Sequence, residues 1–355
     1  MLKNFGGSIA FTFACLVLAA VYGWFQTQSV AATMAMLWIV VMLSVLEVSL
    51  SFDNAVVNAV VLGEMDAVWQ RRFLTWGMVI AVFGMRIVFP LAIVAIAAGI
   101  GPMEALRISL TDPARYEHIV SGAHVGIAGF GGAFLAMVGL SFFFDGEKYL
   151  HWIGWLERRL ALMGDIKAAE IAILLLGVYG ISLLLPPAEA LTFLGASALG
   201  IVTFIAVEAI GTLLEIQDAA QKAAGQMVRS GLGGFLYLNV LDASFSFDGV
   251  IGAFALSNNM VVIALGLSIG AMFVRSLTLL LVRQGTLAEY RYLEHGAFWA
   301  IIALAGIMLA SARVEIPETV TGLIGAALIA LSLWWSIRHN RRFPDAEIED
   351  ALRAE

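Results

Sequence analysis

Apolar runs of membrane length dominate the chain, and polar positions cluster in short stretches between them. About 20 consecutive apolar residues cross a bilayer as a helix. That measure predicts ten spans, at 8–25, 33–62, 73–99, 121–144, 168–185, 188–213, 232–257, 259–282, 296–312 and 319–338. The second is too long for one straight crossing and predicts tilt, a break or an overhang. Between the fourth and fifth spans, Tyr149, Trp152, Ile153, Leu156, Leu160 and Met163 share one helical face, with Arg158 on the other. That pattern reads as an interfacial amphipathic helix joining two halves. The expected fold class is an all-α polytopic membrane protein of about ten transmembrane helices.

Composition agrees with the pattern. Of 355 residues, 61% are hydrophobic and only 13% charged, where a soluble domain carries about 25% charged residues. The apolar excess excludes disorder, and a single cysteine, Cys15, excludes a disulfide scaffold. A net charge of −7 argues against nucleic acid as a partner; the expected partner is the lipid bilayer. Short cytoplasmic loops collect Lys and Arg. With both termini cytoplasmic, fifteen of the twenty basic residues fall on that side and three, Arg107, Arg115 and Arg313, on the other. The remaining two, Arg86 and Arg275, lie inside spans. The apolar N-terminal stretch reads as the first span rather than a cleaved signal, and Arg341 to Glu355 as a solvated tail.

The stretch Glu47-Val-Ser-Leu-Ser-Phe-Asp53-Asn recurs as Asp242-Ala-Ser-Phe-Ser-Phe-Asp248-Gly at an offset of 195. The following spans also match, Gly77 to Arg86 and Gly266 to Arg275 both reading G-x-x-I-x-x-x-x-x-R. Five crossings separate the copies, so they run in opposite directions. An inverted three-helix repeat is a common plan of secondary transporters, with sites near the midplane where the repeats meet. The chain then divides into an N-terminal helix and loop (1–32), a first repeat (33–144), the interfacial linker (145–167), two connecting helices and a loop (168–230), a second repeat (231–312), and a last helix with its tail (313–355).

Charges inside the spans point to the chemistry. Glu47, Asp53, Arg86, Asp242, Asp248 and Arg275 are six groups that together cost about 15–20 kcal/mol at bilayer depth unless paired or liganded. On a regular helix Glu47, Ser51, Asn54 and Asn58 share one face, while acids six apart sit ~9 Å apart along the axis and point ~120° away from each other. Both acids of one copy can hold one ion only if the helix unwinds between them or the ion moves between two stations; the serines, Asn54 and, in the second copy, Gly249 are the expected places for a break. Carboxylates, hydroxyls and amides are hard oxygen donors, suited to Mn²⁺, Mg²⁺, Ca²⁺ or another hard cation as the transported substrate. The expected ligands are Glu47, Asp53, Asp242 and Asp248, assisted by Asn54, Ser51 and Ser246, with Arg86 and Arg275 balancing charge. Ligands shed protons on binding metal, which makes protons a possible coupling ion.

The paired E-x-S-x-S-F-D-N and D-x-S-x-S-F-D-G motifs resemble those of the TerC-type integral membrane family, within the LysE-like transporter superfamily, over roughly 33–312. The resemblance implies manganese export, a bacterial inner (plasma) membrane location and a link to tellurite resistance. It carries to Glu47, Asp53, Asn54, Asp242, Asp248 and Gly249. The leading expectation is a non-enzymatic exporter of a divalent cation, most of all Mn²⁺. The alternatives are a LysE-like amino-acid exporter, an intramembrane aspartyl enzyme built on Asp53 and Asp248, and a non-transporting membrane partner in a stress complex. The sequence sets no oligomeric state.

Overall fold

The computed structural model describes residues 2–342, apart from 78, 147, 149, 165–167, 224–230, 255, 258, 285–289, 315 and 317. Within helices, the side chains of 2–4, 50, 52, 53, 64, 74, 89, 93, 97, 215, 217–223, 244–252, 254, 283, 284, 318 and 319 also lie outside the description. The described backbone is helical with short connections and no strand. In order, it forms α1 (Leu2–Thr27), α2 (Val30–Leu50), α3 (Phe52–Glu64) and α4 (Ala67–Arg72), then two wider π-helical stretches (Phe73–Gly77 and Ile80–Val88). There follow α5 (Phe89–Ala98), α6 (Pro102–Thr111), α7 (Pro113–Gly122), α8 (His124–Phe144), α9 (Gly154–Met163), α10 (Ala169–Ser182) and α11 (Pro187–Ala223). The chain ends in α12 (Leu232–Phe254), α13 (Met260–Gln284), α14 (Leu293–Ser311) and α15 (Glu318–Arg342).

Eight helices among the described residues are long and apolar enough to cross a membrane. They coincide with eight of the ten predicted spans. The other two fall on α10, of 14 residues, and on α12, whose described apolar run Leu232–Ala243 is short for a crossing. Large apolar side chains such as Phe13, Phe25, Trp38, Ile96, Leu176 and Leu191 are exposed, as expected of a lipid-facing surface.

The long second span does break, between α2 and α3. Ser51 sits at the junction with φ −103° and ψ 18°. Its N–H still reaches the Glu47 carbonyl (3.0 Å), and the Ala55 N–H reaches the Ser51 carbonyl (3.2 Å), so the chain bends without unwinding. The expected break at Gly249 is absent: α12 runs unbroken from Leu232 to Phe254. A glycine inside a helix costs about 1 kcal/mol against alanine, too little to force an opening that packing opposes.

Two short helices, α6 and α7, were not expected within the first repeat. Each starts with a proline in its first turn (Pro102, Pro113), where the missing N–H costs nothing. The linker also differs from expectation. Its helix starts only at Gly154, Tyr149 lies outside the described residues, and Met163 is exposed together with Trp155 and Leu162. Trp152, Ile153, Leu156 and Leu160 are half-buried as the pattern implied.

Two apolar clusters form the core. One joins side chains of α3, α8, α10, α11, α12 and α14, including Val57, Phe134, Phe193, Leu241 and Ile301. The other joins α1, α2, α5, α6, α7 and α13, including Leu43, Tyr116, Ile263 and Leu267. The linker is fixed to the first by a buried carboxylate. Glu157, 3% exposed, accepts the backbone N–H groups of Trp152 (2.8 Å) and Ile153 (3.1 Å) and the indole N–H of Trp299 on α14 (2.9 Å). His295 Nε2 lies 3.7 Å from it and 2.9 Å from the Leu150 carbonyl. A buried donor stripped of its acceptor costs about 1–3 kcal/mol. Glu157→Ala leaves three half-buried donors without their acceptor, each at a fraction of that cost, so a loss of about 2–4 kcal/mol is expected. It should be read as a lower melting temperature and faster amide exchange across 150–160, with Glu157→Gln losing less.

Candidate functional site

A polar site lies between the two apolar clusters, where α2, α3, α12, α13 and the second π-helical stretch converge. Pro90 accounts for the wide turns there. It has no N–H to continue an α-helical ladder, and its ring crowds the carbonyl four residues back, that of Arg86, which favours a widened turn. Arg86 therefore sits in a loosened helix. Its Nη1 donates to the Ala81 carbonyl at 2.6 Å, and its Nη2 forms an ion pair with Glu47 Oε1. Both side chains are almost fully buried. The Ser51 hydroxyl, brought round by the bend, donates to the same Glu47 oxygen at 3.1 Å.

Close helix contact places Glu47. Gly266 and Gly270 on α13 face α2, and a β-carbon on Gly270 would collide with Glu47 Cβ and Cγ. Small residues four apart on one helix let two backbones approach in this way. One turn beyond, Arg275 is 9% exposed and lies with Cζ 4.0 Å above the Phe73 ring. Its Nη2 sits so close to Gly77 that a β-carbon there would be 2.7 Å away. The Nε and Nη2 of Arg275 have no hydrogen-bond partner. A guanidinium over a ring face is attracted by the ring quadrupole.

Asp242 on α12 is 7% exposed and is held from the other copy. Asn58 Nδ2 on α3 donates to its Oδ1 at 2.7 Å, and Asn54 adds a second side-chain bond. Arg275 and Arg86 attract it from a distance. Asn54, Asn58, Arg86, Asp242, Arg275 and Thr278 supply the polar lining of a cavity of about 20 Å³. A single water needs about 10–15 Å³ on this scale, so the space suits one water-sized particle.

Four of the sequence-predicted site residues thus come together around the cavity: Asn54, Asp242, Arg86 and Arg275. Glu47 and Ser51 lie one step behind, joined through Arg86. The side chains of Asp53, Ser246 and Asp248 lie outside the described residues. Among the described residues no three acidic, histidine or cysteine side chains gather into a metal cluster. Asn58 shares the Glu47 face but is not among the sequence-predicted site residues, since its partner is 184 positions away. His124 bonds the Ser311 carbonyl at 3.2 Å and so ties α8 to α14.

The fold and site define a multi-pass helical membrane protein with a buried, mixed-charge cavity. Residues 52–343 match the family described as protein of unknown function DUF475, and the chain belongs to that family. No curated protein and no solved structure matches it. The glycine contact predicts a measurable asymmetry. Overpacking a tight contact costs about 1–3 kcal/mol, so Gly270→Ala is expected to lower the melting temperature. Gly63→Ala, where a β-carbon meets nothing within 4 Å, is expected not to lower it.

Proposed function

We propose that this protein is a secondary transporter that exports a divalent cation, Mn²⁺ above others, through the cavity between its two sequence copies. The observation that carries the reading is the charge set at that cavity. Asp242, Asn54 and Asn58 offer hard oxygen atoms, and Arg86 and Arg275 hold the site's charge when no cation is there. Burying such groups in an apolar bundle is costly, and a membrane chain needs none of them to fold. The proposed architecture is ten crossings, with both termini cytoplasmic and residues 33–144 and 231–312 as inverted repeats in a bacterial inner membrane. Manganese as cargo, and export as direction, rest on the resemblance of the two motifs to the TerC family. Protons released from the carboxylates on metal binding would couple transport to a proton gradient.

A second reading draws on Arg275. Its unpartnered nitrogens would suit the carboxylate of an amino acid, with Asp242 facing the ammonium group, as a LysE-like exporter would require.

Flux measurements separate the two. In vesicles reconstituted with the native chain, Mn²⁺ flux is expected, and Asp242→Asn and Asp248→Asn are each expected to lower it about tenfold or more, as loss of a metal ligand does. Amino-acid flux without Mn²⁺ flux would favour the second reading. Native Mn²⁺ flux in both variants would overturn the carboxylate mechanism.

A further inference from the structure

The two copies are not equivalent at the site. Glu47 and Asp242 occupy matching positions, and so do Arg86 and Arg275. In the first copy the acid and the arginine pair directly. In the second they do not: Asp242 is held by Asn58 and Asn54, and Arg275 lies over Phe73. The sequence accounts for the difference. The positions matching Asn54 and Asn58 in the second copy are Gly249 and Ala253, neither of which carries an amide. Glu47 is neutralised by Arg86 and Ser51 and does not line the cavity, whereas Asp242 does.

Asn58 is 5% exposed and uses only half of its amide. Nδ2 donates to Asp242, while Oδ1 has no hydrogen-bond partner. Turning the amide over would set an oxygen against the carboxylate oxygen, so the network fixes the donor towards Asp242 and leaves the acceptor over. A buried acceptor without a donor costs about 1–3 kcal/mol, and here it belongs to a residue that lines the cavity together with Asp242. Arg275 lies over Phe73 with Nε and Nη2 unpartnered, and both it and Asp242 line the cavity, where the space next to the acid suits a smaller cation.

We infer that Asn58 is a ligand of the transported cation. Its Oδ1 and the Asp242 carboxylate form a binding station that spans both copies, with Glu47–Arg86 as a closed counterpart. Carboxylate plus amide oxygen selects a hard divalent cation over a soft one. This rests on the cation-transport reading above.

Two substitutions at one position test it, in purified full-length protein with Mn²⁺ as the probe. If Asn58 merely held Asp242 in place, Asn58→Asp would be the worse change, setting two carboxylates together with or without metal. If it binds the cation, Asn58→Asp supplies a better ligand. The melting temperature of the Asp variant is then expected to rise more on adding Mn²⁺ than that of the native chain, since a ligand bound only by the folded state stabilises it. Asn58→Leu, similar in size but without an acceptor, is expected to lose at least about tenfold in Mn²⁺ affinity, the least that loss of even an outer-shell partner costs. A Mn²⁺-induced rise in Asn58→Asp no larger than native overturns the ligand role, and so does native affinity in Asn58→Leu. The Asp variant decides by itself if the Leu variant does not fold. A native chain that gives no Mn²⁺ response removes the transport reading instead.

Discussion

A charged group carried into an apolar helix bundle must find a counter-charge or hydrogen-bond partners there, because bulk water is not at hand to screen it. That constraint organises the centre of this protein. The Glu47–Arg86 pair and the Asp242–Asn58 bond are two ways of meeting it. The features around them follow from the need to bring those groups into reach. The bend at Ser51 turns a hydroxyl onto Glu47, the widened turns before Pro90 carry Arg86, and Gly270 lets α13 approach the Glu47 stem. Pairing oppositely charged groups rarely repays the full cost of dehydrating them. A protein that keeps them buried therefore retains them for a purpose other than stability.

The asymmetry between the copies gives that purpose a direction. Identical sequence copies would supply two equal stations. Here one acid is already neutralised by its own arginine and the other is held by neutral amides, with the second arginine stacked on an aromatic ring. An amide adds no counter-charge to Asp242, and among the described acidic side chains Asp242 is the one that lines the cavity. The linker helix shows the same economy on a structural task. Glu157 gathers three N–H donors from two segments and so fastens the linker to α14.

Much of this was legible in the sequence, and what was not has physical reasons. Apolar runs locate most helices because membrane depth imposes length and composition together. The buried acids and arginines stand out because little else in an apolar run is charged. Helices α6 and α7 carry start signals, Gly101-Pro102 and Asp112-Pro113, but their polar faces lack the span pattern. The unbroken course of α12 through Gly249 was not legible, because glycine permits a break without requiring one. Asn58 and Glu157 were hidden for another reason. Their partners, Asp242 and Trp299, lie 184 and 142 residues away, and no local pattern reports contacts of that range.

The central claim is that the cavity beside Asp242 holds the transported cation. Crystals of the native protein grown with Mn²⁺, measured for anomalous scattering, test it most directly. The account predicts a peak within coordination distance of Asp242 and Asn58. Manganese bound only at surface carboxylates, with no peak in the cavity, would contradict it.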